Sequence, residues 1–174
     1  MHLIRKTTLL YLFGLLTFHN ASFSQSHADL GVAAIGLVVS DIDISEHFYK
    51  NILGMQAVGG FSLDAQWSKE AGAAHGKPFS VKQFKMKDRS SATVLKLAYF
   101  DKTEKGTAQG GIDTHSGVNY ISLFYNGEAF KEVMARISAS GIEKVGWVKR
   151  DSYQLVFIKD PDGVFVEIVG PPDP

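Results

Sequence analysis

Two stretches of this chain carry the same order of hydrophobic runs, and that repetition limits the folds open to it. Residues 34–39 (AIGLVV) form a short apolar run rich in β-branched residues, the pattern of a buried strand. Asp43-Ile44-Ser45-Glu46 follows, a capping residue with Glu at the third position beyond it, which predicts a helix start. Ile44, Phe48 and Ile52 fall on one helical face, and Gly54 supplies the stop. Strands are expected at 58–61, 82–86 and 93–99, the last two joined across 87–90. The second stretch begins with 120–125 (YISLFY), and Asn126-Gly127 supplies a turn and cap. Phe130, Val133 and Ile137 share a helical face that ends at Gly141, and strand-like runs follow at 145–148, 155–158 and 164–169. Asp160-Pro161-Asp162-Gly163 predicts a tight turn, because Pro161 presets φ and Gly163 tolerates positive φ. The first strands lie 86 positions apart and the helix stops 87. The expected order is strand–helix–strand–strand–strand, twice, an α+β fold. The copies are unequal. The first carries an extra segment, 67–78 (WSKEAGAAHGKP), whose small residues predict a mobile loop, and a polar linker spans about 102–117.

The N-terminus predicts an address rather than structure. Arg5 and Lys6 precede ten apolar residues, 9–18 (LLYLFGLLTF), too few to span a bilayer, which needs about 20. Ser22 and Ser24 suit a cleavage site before Gln25, with Ser26/Ala28 as a second site, so residues 1–24 are expected to be a signal peptide. The alternative is an uncleaved amphipathic or core helix. Cleavage would leave 150 residues with 16 basic and 18 acidic side chains, bound for the periplasm or the exterior and free of the membrane.

Composition removes several function classes. The chain has 174 residues, 45% of them hydrophobic, enough for one ordinary domain with a core. Eighteen basic side chains balance eighteen acidic ones without a long basic run, which argues against nucleic acid as partner. With no cysteine there is no disulfide scaffold, thiolate metal site or cysteine nucleophile. No Ser-His-Asp order, phosphate-cradling glycine loop or zinc-helix motif is present.

The residues IGLVVSDIDISEHFYKNILGM (35–55), GVNYISLFYNG (117–127) and DPDGVFVEIVGP (160–171) resemble the vicinal oxygen chelate superfamily, which contains glyoxalase I, extradiol dioxygenases and bleomycin-resistance proteins. The resemblance covers about residues 31–171. It implies a single domain of two βαβββ modules, about 31–101 and 118–171, whose curved mixed sheets form a cleft for a small molecule. Such modules pair or swap, which is compatible with a homodimer. In metal-dependent members one side chain from the first and one from the fourth strand of each module bind a divalent ion. Carried over by position, those four places fall on Ala34, Lys96, Tyr120 and Glu167.

Only Glu167 is an ordinary ligand for such an ion. Alanine offers no donor, neutral Tyr is a weak one, and an ammonium repels a cation at short range. No cofactor is therefore expected. The alternative is a divalent metal on Glu167, with His75 or His115 swinging in from a loop.

Strand alternation puts Val94, Lys96 and Ala98 on one face, and the family register turns that face inward. Lys96 and Glu167 are then expected to face each other in the cleft, Lys96 holding a carboxylate or carbonyl oxygen, Glu167 taking a proton and Tyr120 donating nearby. Two alternatives stay open: a purely structural ion pair, and a register that leaves Lys96 in solvent. His47 is expected in solvent, His75 on a loop or lid, Asp160 and Asp162 in their turn, and Trp67 and Phe79 either packing the extra segment or meeting a ligand.

Three functions follow from the resemblance. One is a secreted, metal-independent protein with lyase- or isomerase-type acid–base chemistry on a small organic molecule. Another is a binding or sequestering protein in which Trp67, Phe84, Tyr99, Tyr120 and Phe124 matter more than charge. The third is a metal-dependent glyoxalase-like or dioxygenase-like enzyme.

Overall fold

The computed structural model describes residues 31–106, 110–114 and 116–173. The expected signal segment and His115 lie outside the described residues. The chain runs β1 (Ala34–Val38), α1 (Ile42–Glu46), β2 (Gln56–Leu63), α2 (Ala65–Ala71), β3 (Phe79–Lys85) and β4 (Val94–Tyr99). It continues through β5 (Tyr120–Phe124), α3 (Gly127–Ala139), β6 (Gly146–Lys149), β7 (Gln154–Lys159) and β8 (Phe165–Gly170). The first four strands form one sheet in the order β1-β4-β3-β2, and the last four form another in the order β5-β8-β7-β6. In each sheet the first strand pairs in parallel with the last, and the remaining pairs are antiparallel. This is the duplicated βαβββ, α+β architecture expected from the repeat.

The first helix departs from the expectation in cap and face. Asp41, not Asp43, is the cap, and its carboxylate accepts from the backbone N–H of Asp43 and of Ile44, each at 3.0 Å. After one α-helical turn the chain widens into a π-helical segment, His47–Ile52, closed by Leu53 N–H to Phe48 O at 2.9 Å. The extra residue in that turn shifts the phase. Ile44 is left 55% exposed, while Phe48, Tyr49, Ile52 and Leu53 turn into the core. The stop at Gly54 holds, with φ at 78°.

The extra segment is not wholly loop. Asp64 caps a helix by accepting from Trp67 N–H at 2.8 Å, α2 follows, and Gly72 ends it at φ 68°. Trp67 stacks edge-on against Phe79 at 6.1 Å, and Phe79 lies 5.0 Å from Phe100, so these rings pack the segment onto the sheet.

α1 with its π-helical extension and α3 cover one face of each sheet, and a single apolar cluster joins the modules. Tyr49, Leu53 and Leu97 come from the first, and Val133, Ile137, Val156 and Ile168 from the second. Polar bonds fasten the same boundary. Arg136 Nε donates to Ile52 O at 2.8 Å, and the Tyr125 hydroxyl donates to Leu53 O at 2.7 Å, so two carbonyls at the end of the first module's helical segment find partners on the second.

Asp160 and Asp162 do more than make their turn. The Tyr49 hydroxyl donates to Asp160 Oδ2 at 2.9 Å, the N–H groups of Asp162 and Val164 donate to Asp160 Oδ1, and Ser40 N–H donates to Asp162. Burial raises the Asp160 carboxyl above its usual range, and its three donors pull it back. Burial, reinforced by the Asp160 charge, holds the Tyr49 hydroxyl well above its ordinary value of 10.0.

Three expected outcomes follow. Gly170 lies under α3, and a Cβ there would meet Phe130 Cδ2 at 2.1 Å. Gly170→Ala is expected to cost about 1–3 kcal/mol or more by overpacking, read as a lower thermal midpoint. Tyr49→Phe leaves a buried carboxylate oxygen unpaired and is expected to cost about 1–3 kcal/mol in denaturant unfolding at pH 7. Because the folded pKa of Tyr49 is raised, its contribution is complete below about pH 10 and is lost as pH climbs through the folded value. Wild-type stability should therefore fall above about pH 10, and the Phe variant should fall less steeply; parallel curves would contradict this assignment.

Candidate functional site

The open faces of the two sheets, opposite α1 and α3, carry Lys96, Glu167 and Tyr120, and on the first sheet α2 packs at the edge of that face through Trp67 and Phe79. Along β1 the exposed positions are Ala34, Gly36 and Val38, and the parallel register sets Gly36 beside Lys96 and Val38 beside Ala98. Side chains paired across a ladder share a face, so Lys96 stands on the open face, half-buried, with Gln83 as its other neighbour. On that face Lys96 is partly buried rather than fully in solvent. Its ammonium lies 5.9 Å from the centre of the Phe61 ring on β2. Among the described residues no carboxylate is within ion-pair distance of Lys96. No ion pair joins Lys96 to Glu167, neither the expected pair across the cleft nor a purely structural one, and the two side chains stand on different sheets.

Glu167 is half-buried on the open face of the second sheet, between Ser122 on β5 and Phe157 on β7. The Ser122 hydroxyl bonds Glu167 Oε2 and fixes that carboxylate. Tyr120 shares this face, 47% exposed, and meets Phe157 edge-on at 6.0 Å rather than hydrogen-bonding Glu167. Phe157 in turn meets Phe165 edge-on at 6.2 Å, and Lys159 Nζ lies 4.7 Å from the Phe165 ring centre. The second face thus carries one acid in an aromatic frame with Lys159 at its end, and the first carries Lys96 on a mostly apolar floor with Lys85 farther along β3. Ser122, Phe157 and Phe61 were missed from sequence. The alternation of β5 and β7 was the available signal for the first two, once their register was known.

The other candidates divide. His47 is exposed, as expected. His75 is an exposed loop residue held at φ 52° and lines a pocket with Val38 of β1. Phe84 is fully buried on the helix side and is not a cleft residue, and Tyr99 packs against the core. Phe124 is 72% exposed on the open face.

The family's metal can be tested against these side chains. Ala34 offers no donor, Lys96 is a cation, Tyr120 packs against a ring, and Glu167 is already bonded to Ser122. Among the described residues no three His, Asp or Glu side chains converge. These residues do not fit a divalent ion.

Comparison with known proteins agrees with the architecture. A family model described as the Glyoxalase/Bleomycin resistance protein/Dioxygenase superfamily matches residues 31–168. A probable lactoylglutathione lyase of Vibrio parahaemolyticus is 28% identical over 76% of this chain and 85% of its own length. The lactoylglutathione lyase of Haemophilus influenzae is 26% identical over 76% of this chain and 87% of its own. Among solved structures, a glyoxalase family protein from Bacillus cereus superposes with a TM-score of 0.66 at 18% identity, covering 83% of this chain and 95% of that one. The parallel pairing of first and last strand in each module, its duplication, and a match over most of the length lead to one conclusion: the chain belongs to the glyoxalase, bleomycin-resistance and dioxygenase superfamily.

Proposed function

We propose that this protein takes a small organic molecule on the open sheet faces, with Lys96 as the polar anchor for a carbonyl or carboxylate oxygen. One observation carries this: a half-buried ammonium on a mostly apolar floor, without a carboxylate partner among the described residues. A cation so placed keeps its attraction for an incoming oxygen, because its charge is not neutralised by the protein and its site is only partly wet. Lys96 would stabilise negative charge that develops on that oxygen. Glu167, held by Ser122, would accept a proton from the carbon beside the carbonyl, which is chemistry of the lyase or isomerase type. Tyr120 would donate to the same molecule. Two relatives named lactoylglutathione lyase support chemistry of the lyase type. We further propose that the protein acts in the periplasm or outside the cell after loss of residues 1–24, and that it forms a homodimer.

Binding without turnover is the second reading, favoured by the exposed rings of Tyr120 and Phe124 on the same face as Glu167.

The test uses purified protein and a panel of small carbonyl and carboxylate compounds that includes S-lactoylglutathione. Lys96→Met should abolish ligand-induced thermal stabilisation while the circular dichroism spectrum stays unchanged. Glu167→Gln should keep that stabilisation and lower turnover by about 10²–10⁴-fold. Undiminished binding by the Lys96 variant defeats the anchor, and undiminished turnover by the Glu167 variant defeats the base. Stoichiometric Zn, Ni, Mn or Fe in the purified protein would replace this mechanism with a metal-dependent one.

A further inference from the structure

The loop after α2 and the chain leaving β4 flank an open pocket of about 480 Å³ at one end of the open face of the first sheet. That volume lies within the range of small-molecule sites, roughly 300–1,000 Å³. Its walls divide by chemistry. Val38, Ala74 and Phe100 give apolar surface, and Lys77, Lys102 and Glu104 stand around it. The apolar wall is braced from behind, because Phe100 stacks on Phe79 at 5.0 Å and Phe79 on Trp67 at 6.1 Å. The loop wall is a defined turn, closed by Lys77 N–H to Ala74 O at 2.9 Å, with His75 held at φ 52°. A non-glycine residue in that conformation costs energy, so the surrounding contacts specify the loop shape. Thr103 lines the same pocket, and its buried hydroxyl has no hydrogen-bond partner among the described residues.

The charges are unspent. Neither lysine nor Glu104 takes part in an ion pair among the described residues. Two ammonium groups against one carboxylate leave a net positive rim over an apolar wall. We propose that this pocket binds a small monocarboxylate with an apolar body, such as an aryl-substituted acid, with the ring on Val38 and Phe100 and the carboxylate between Lys77 and Lys102. This rests on the reading above that the open face takes a small organic molecule, and it adds that molecule's charge and the segment that recognises it. The recognising segment is the one by which the first module exceeds the second, so the pocket has no counterpart in the repeat.

The experiment is isothermal titration calorimetry of the full protein with phenylacetate and its neutral analogue phenylacetamide. It is run alongside fluorescence of a Trp147→Phe variant, in which Trp67 is the remaining tryptophan. Phenylacetate should bind saturably and change Trp67 emission, with the amide about tenfold weaker or worse. Lys77→Met/Lys102→Met should weaken phenylacetate about tenfold, leave the amide unchanged and keep the circular dichroism spectrum. No binding of phenylacetate, equal binding of acid and amide, or indifference to the double substitution overturns the proposal. Lys96→Met separates the two readings. Phenylacetate binding that survives Lys96→Met but not the double substitution supports this pocket and removes Lys96 as the anchor. The reverse removes this pocket and leaves Lys96. Loss in both supports a ligand spanning the two.

Discussion

The parallel ladders between the first and last strand of each module are the constraint on which the site depends. They set Gly36 beside Lys96 and Ser122 beside Glu167. A slip of one residue would exchange every side chain between faces, burying Lys96 and exposing Leu95 and Leu97, both now in the core. The apolar area of those leucines, at about 25 cal/mol per Å², opposes the slip together with the cost of burying an ammonium. Hydrophobic burial on one face thus holds polar chemistry on the other.

The modules are joined by a mixture of forces with different roles. Contact among Tyr49, Leu53, Val133 and Ile137 supplies non-directional adhesion. The Tyr49–Asp160, Arg136–Ile52 and Tyr125–Leu53 hydrogen bonds add direction, since each satisfies a group that would otherwise be buried without a partner. A buried carboxyl that accepts three donors is a costly device if any donor is lost, and it specifies one relative placement of the two modules. This is why a turn that reads as local in sequence acts as a long-range fastener.

The two open faces differ in chemistry although the modules repeat. Where the first presents Lys96 over Phe61, the second presents Glu167 between Ser122 and Phe157. A duplicated backbone needs apolar residues at the core-facing positions of both copies, because the helix must pack on the sheet in each. It places no such demand on the outward rows, which are free to carry opposite charges. The side chains at the four positions that the resemblance equates with metal ligands, Ala34, Lys96, Tyr120 and Glu167, are not a donor set suited to a divalent ion, although the strands that present them repeat.

The order of elements, the stops at Gly54 and Gly141 and the alternation that brings Lys96 and Glu167 to open faces were all present in the chain as written. They are local properties, set by hydrophobic period and by glycine's tolerance of positive φ. The cap at Asp41, the π-helical segment that turns Ile44 outward and the helix at Ala65–Ala71 were not, since each hangs on one extra residue in a turn or on a neighbouring surface to pack against. Phe84 reads as a candidate cleft residue, yet it is buried, because the register with Leu95 decides its face. Tertiary structure alone assigned the partners: Ser122 to Glu167, Tyr49 to Asp160, and none with negative charge to Lys96 among the described residues. Pairing between residues tens of positions apart depends on how sheets and modules pack, and local pattern carries no record of that distance.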